Sequence, residues 1–323
     1  MIKALDHYYL RLRNKCYAVV VGNYHSTGYI VGYVKYCPVE QKTLWCDQYI
    51  CYDRIVKYYM VEEVHSSTPW KTHVPFYGGE TPVIPVSEVE KVLNPIDRLY
   101  EIMNRPGDEL EYLVVKLIDE SRFSSGVGVT GSILPSIHNV RVSDIDLIVY
   151  GLKNSVDVIE FIVENPSIFR GFNEEKLHAW CVRVSRATGL SPREVSRFYR
   201  RWRRGIYHGR EYSFIYNDGI FKLLDNMSSW ETIGVVKAEA LFTGGFEALN
   251  YPTMGVIESW RYLDGANPRG DLEYVLSFEA LYMPLFYEGG KAIVRGLLQY
   301  NSVDDTYRVL VGVKEEKTFI KPL

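Results

Sequence analysis

Two aspartates one residue apart, Asp144 and Asp146, stand at the head of an apolar, β-branched run (Ile145, Leu147, Ile148, Val149), eleven residues after the pair Gly131-Ser132. Alternate side chains of a strand share a face, so both carboxylates should point the same way. Two such charges a few Å apart repel unless a cation sits between them. An all-oxygen site that must leave room for phosphates suits Mg²⁺, or Mn²⁺ as a second hard divalent ion. Gly131-Ser132 is the complement: glycine lets backbone approach a phosphate closely, and the following amides and hydroxyl can donate to it. An anion cradle beside a metal-binding carboxylate pair is the equipment of phosphoryl or nucleotidyl transfer.

Gly131-Ser132 followed by Asp144-Ile145-Asp146, with Ser143 ahead of the acids, resembles the nucleotidyltransferase superfamily named after DNA polymerase beta. The resemblance covers roughly residues 108–220, and the wider chain resembles archaeal predicted nucleotidyltransferases. It implies that Asp144 and Asp146 hold the metals, while Gly131 and Ser132 hold the β- and γ-phosphates of a nucleoside triphosphate. It also implies a third carboxylate from a later strand, acting as metal ligand and base. The next strand-like run is 211–217, opened by Glu211 and followed by the turn signal Asp218-Gly219. Alternation puts Glu211, Ser213 and Ile215 on one face, with Tyr212, Phe214 and Tyr216 on the other. Glu211 is the better candidate for the third acid, and Asp218 the alternative. A solvated strand-end charge is the competing reading of each.

The pattern of elements predicts an α+β chain in which a nucleotidyltransferase-fold catalytic domain (86–230) is flanked by an N-terminal β-rich domain (1–85) and a C-terminal β barrel-like domain (231–323). The first region carries β-branched and aromatic runs at 16–22 and 29–36, with a proline- and glycine-rich exit. Helices are expected at 87–93, 95–103, 109–122, 155–164 and 174–187 from caps and apolar spacing. The last region has strand-like runs at 232–242, 254–260, 272–280, 292–299 and 307–313, at intervals suited to a small barrel. Tyrosine is over-used, 26 residues against 13 phenylalanines, which fits half-buried β surfaces and, as an alternative, base-stacking platforms.

Ser191-Pro192-Arg193-Glu194 is a strong helix start. The helix it predicts would carry Arg193, Arg197, Arg200, Arg201, Arg203 and Arg204, with Arg210 just beyond and Phe198, Tyr199 and Trp202 interleaved. Arginine forks suit phosphate, so Arg201, Arg204 and Arg210 are candidate nucleotide contacts and the face a candidate RNA surface. A solvated face whose stems cover aromatic neighbours is the plainer alternative. A net charge of −3 decides nothing about nucleic acid.

Five cysteines, Cys16, Cys37, Cys46, Cys51 and Cys181, lack paired Cys-x-x-Cys knuckles, so buried thiols are expected rather than zinc, with a Cys46–Cys51 disulfide conceivable in a hyperthermophile. His25, His65 and His73 read as structural or surface histidines. No apolar run reaches membrane-spanning length and the N-terminus lacks a signal core, which predicts a soluble cytoplasmic chain without a membrane partner. The expected reaction is Mg²⁺-assisted attack of an acceptor hydroxyl, RNA among the candidates, on the α-phosphate of a nucleoside triphosphate. The rival is a non-catalytic nucleic-acid-binding or scaffolding protein on a decayed transferase fold. The discriminating feature is whether a third carboxylate reaches Asp144 and Asp146.

Overall fold

A computed structural model of the chain describes residues 2–121, 123, 125–224 and 229–323. The N-terminal region forms an antiparallel sheet ordered Trp45–Cys46, Cys51–Arg54, Tyr29–Val39, Tyr17–Val20, Tyr9–Leu12 and Val89–Leu93. Gly79–Pro85 and Lys71–Val74 branch from the start of its longest strand. Segment 87–93 is therefore not the helix its spacing predicts: one 3-10 turn at Val86–Glu88 precedes the strand Val89–Leu93. Five residues are too short for periodicity to separate helix from strand, and the open edge of Tyr9–Leu12 decides the matter.

That sheet also sets the cysteines. Tyr17 faces Tyr36 across the antiparallel pair, so the neighbouring Cys16 and Cys37 fall within bonding reach and form a disulfide. Cys46 and Cys51 are paired in register and form a second. Only Cys181 stays a buried free thiol, so the expectation of buried thiols fails for four of the five.

The central sheet is ordered Val127–Val129, Ile145–Tyr150, Arg210–Asn217, Arg204–Tyr207 and Phe169–Arg170, and only its second and third strands run parallel. Helices Pro95–Asn104, Glu109–Ser121, Leu152–Glu164 and Glu174–Thr188 pack around it much as their apolar spacing predicts. Arg122, the expected last residue of the second, lies outside the described residues. The arginine-rich helix is cut short. Its capping box forms as expected, but the helix covers only Pro192–Ser196. Phe198 and Trp202 continue into the core through turns, because the chain must straighten by Arg204 to pair with the next strand.

In the C-terminal region Trp230–Phe242, Thr253–Gly265, Leu272–Ser277, Thr306–Val311 and Gly290–Asn301 follow one another around a sheet that closes when the last pairs with the first. This is a five-stranded barrel, with Phe319–Pro322 appended to Gly290–Asn301. Its core is continuous with that of the central sheet. The N-terminal sheet touches both other parts: Val31, Phe76 and Tyr77 pack with Leu297 and Leu310 of the barrel, and Tyr9, Tyr33 and Tyr36 pack with Leu134 and Ile137 just after Gly131-Ser132.

Candidate metal and nucleotide site

The strand Val127–Val129 pairs antiparallel with Ile145–Tyr150, and the Thr130 amide extends that pairing by donating to the Asp146 carbonyl at 2.9 Å. The next residue, Gly131, thus lies against Asp146. Its φ is +62°, and a Cβ there would come 2.2 Å from Asp146 Oδ2. Glycine is demanded twice, by the left-handed backbone and by the close approach. The Ser132 hydroxyl donates to Ser143 Oγ at 3.2 Å, and Ser143 Oγ accepts from the Asn139 amide at 2.9 Å. The Gly-Ser turn and the residue ahead of Asp144 are therefore tied directly together.

Ile145–Tyr150 lies parallel to Arg210–Asn217 with Ile145 opposite Tyr212 and Asp146 opposite Ser213. Asp146 and Ser213 share a face, and the Ser213 hydroxyl donates to Asp146 Oδ1 at 2.5 Å. Asp144 lies just ahead of its strand, and Glu211 stands two residues before Ser213 on the partner strand. Asp144 is half-buried, and its carboxyl is pushed up to about 7 by that burial and by the charges of Asp146 and Glu211, against the opposing Arg204 and Lys176. Like charges crowd at one spot, as the i, i+2 spacing predicts.

Glu211 is on the expected face but is not free. Lys176, from the helix Glu174–Thr188, forms an ion pair with its carboxylate. The three acids do not bring ligand atoms within 4.8 Å of one another; among the described residues the group that does is Asp108, Glu111 and His138. That trio is largely engaged already, although His138 Nδ1 is buried without a hydrogen-bond partner. Asp108 Oδ1 accepts from the amides of Leu110 and Glu111, and its Oδ2 contacts His138 Nε2 at 2.7 Å. Glu111 is paired with Arg98 and accepts from the Gly107 amide. Arg98 already supplies Glu111 with a cation.

Asp218 is absorbed elsewhere. Asn23 and Asn250 donate to its carboxylate, and Lys222 pairs with it at 2.8 Å. Asn23 also donates to Asn217 Oδ1, so this knot joins all three parts of the fold. It is a structural acid.

The arginines are largely committed too. Arg197 donates to the carbonyls of Pro322 and Leu323, Arg200 grips Glu288, Arg201 donates to the Val163 carbonyl, and Arg203 to the Ala280 carbonyl. They fasten the central sheet to the barrel region and to its own helices. Arg210 donates to the carbonyls of Val140, Arg141 and Ser143, pinning the loop that delivers Asp144. The Arg204 guanidinium makes no hydrogen bond or ion pair among the described residues, and its charge is felt at Asp144. Of the three arginines expected at a nucleotide, Arg204 is the one left for that work.

Sequence reasoning missed Lys176, which carries no motif. It also passed over Ser213 as a partner, although alternation had placed it on Glu211's face. No family model matches the chain, and no curated protein or solved structure does either. No helix among the described residues is long and apolar enough to cross a membrane.

Proposed function

We propose that the chain is a nucleotidyltransferase moving a nucleoside monophosphate from a nucleoside triphosphate to an acceptor hydroxyl, RNA among the candidates. The observation that carries the reading is the Gly131 backbone set against Asp146, with Asp144 beside it driven toward neutrality by burial and by the charges of Asp146 and Glu211. The donors are all oxygen and carry uncompensated negative charge, which fits Mg²⁺ or Mn²⁺. A divalent ion held by Asp144 and Asp146 would relieve their repulsion and draw charge from the α-phosphate as pyrophosphate departs.

The chain's own groups do the rest. Gly131 and Ser132 present the turn that receives the triphosphate tail, and Arg204 neutralises phosphate charge. Ser213 fixes the Asp146 carboxylate through its hydrogen bond, and Arg210 holds the loop ahead of Asp144. Glu211, once it exchanges its Lys176 partner, is the group placed to take the acceptor's proton. Positioning and electrostatics carry this chemistry rather than a covalent intermediate.

Two observations favour the second reading, a nucleic-acid-binding or scaffolding protein on a decayed transferase fold: the three acids do not bring ligand atoms within 4.8 Å of one another, and Glu211 is held by Lys176. Incubation with each α-labelled triphosphate, Mg²⁺ or Mn²⁺, and total RNA or protein separates the two. Label on an acceptor, lost in the Asp144→Asn, Asp146→Asn double variant, is the expected result. No transfer with any triphosphate, together with metal affinity unchanged in the double variant, makes the decayed fold the better account.

A further inference from the structure

The face of the N-terminal sheet that packs on the Gly131-Ser132 loop holds two side-chain cations that no acid pairs with among the described residues. Lys35, on the strand Tyr29–Val39, is only 8% exposed, yet its Nζ meets phenols alone. It donates to Tyr9 Oη at 3.0 Å and lies over the rings of Tyr36 and Tyr59, each centroid at 5.5 Å. Arg54, on the neighbouring strand, donates to Tyr59 Oη at 2.7 Å and stacks on the same ring at 5.1 Å. Among the described residues neither cation has a carboxylate partner. A buried ammonium without a counter-charge is costly, and phenol contacts offset this only in part.

The cluster is joined to the site by packing and by charge. Tyr9 and Tyr36 share a core with Leu134 and Ile137, residues of the loop after Ser132. The Thr130 hydroxyl, one residue before Gly131, donates to the His7 carbonyl at 3.1 Å. The charge of Asp146 is felt at both Tyr36 and Tyr59. Tyr59 is 46% exposed as a residue, while its hydroxyl accepts from Arg54. Burial alone would push that phenol up, but Lys35 and Arg54 more than offset it and hold it below an ordinary tyrosine.

We propose that Lys35 and Arg54 form a phosphate-binding wall facing Asp146, in which a substrate phosphate displaces the Tyr59 hydroxyl and is clamped between the N-terminal sheet and the Gly131-Ser132 turn. The ligand chemistry is a phosphate dianion or polyphosphate, carried either by the nucleotide's tail or by a phosphorylated end of the acceptor. This rests on the proposed transfer reading for what the phosphate belongs to, but not for its binding.

The test is calorimetric titration of inorganic pyrophosphate into the full chain in EDTA, where the aspartate pair holds no metal. Arg54→Gln should weaken binding about tenfold or more, the size of a lost charged hydrogen bond, and Lys35→Met at least as much. Tyr59→Phe removes the competing hydroxyl and should tighten binding, and so should the Asp144→Asn, Asp146→Asn double variant, by removing repulsion. Unfolding curves on each variant separate loss of the wall from loss of the fold, and Arg54→Gln decides if Lys35→Met does not fold. Competition with a triphosphate and with 5′-phosphorylated against 5′-hydroxyl RNA oligomers identifies the source. Pyrophosphate affinity unchanged in a folded Arg54→Gln chain, or weakened by Tyr59→Phe, overturns the wall. Pyrophosphate binding without any label transfer leaves the wall standing and removes the transferase reading.

Discussion

The strand Arg210–Asn217 has an acid at each end, Glu211 inside its start and Asp218 just past its finish, and the surroundings treat them differently. Asp218 is nearly enclosed, and two asparagines and a lysine satisfy it. Glu211 has Lys176, but it also faces Asp144 and Asp146, so its end of the strand carries more negative charge than it neutralises. The first arrangement is complete without a ligand. The second is stabilised by adding a cation, and uncompensated charge of this kind is a mark of functional sites.

The comparison can be broken by substitution at either end. The largest effect should come from Asp218→Ala, which removes the carboxylate that Lys222, Asn23 and Asn250 share; breaking such a buried pair costs about 3–5 kcal/mol. Denaturant unfolding should show that loss, and a change below about 1 kcal/mol would mean the knot is not what joins the three parts.

Asp144→Asn should act in the opposite direction. The folded Asp144 holds its proton up to about pH 7, whereas an unfolded aspartate releases it near ~3.9. Its contribution is therefore fully present below about pH 4 and is lost as pH rises through about 7. At pH 8 without metal the variant should exceed the parent by on the order of 2–4 kcal/mol, with no difference near pH 4. Saturating Mg²⁺ should stabilise the parent and narrow the gap. Melting curves across pH check this, and a parent more stable than the variant at pH 8 would show that the charges are not crowded.

Gly131→Ala should cost about 1–2 kcal/mol from the left-handed backbone alone. It should also displace Asp146 and so reduce metal affinity, read by titration of Mn²⁺. Retained affinity would separate the turn from the metal site. The smallest stability effect belongs to Glu211→Gln, below about 1 kcal/mol, because its ion pair with Lys176 is partly solvated. Label transfer should nonetheless fall by roughly 10²–10⁴. An unaffected rate would take the base's role from Glu211.

Much of the central architecture was legible. Asp144 and Asp146 lie close enough to feel each other's charge because only Ile145 separates them along the chain. The barrel's strands were legible because the two-residue repeat of a strand is local geometry, although its closure was not. The arginine cluster misled because a cap reports where a helix starts, and a strand pairing at Arg204 set where the chain had to straighten. Val89–Leu93 misled likewise, since an open sheet edge outweighed a short helical pattern.

The sequence by itself determined the acid pair, the glycine beside it and the face of Glu211, because strand alternation and backbone sterics act within a few residues. Only the tertiary structure decided which charges are neutralised. It brought Lys176 to Glu211, Asn23 and Asn250 to Asp218, carbonyls to Arg210, and Lys35 with Arg54 to the face packed on the Gly131-Ser132 loop. Charge compensation depends on distance through space, and these partners are separated along the chain by tens to nearly two hundred residues.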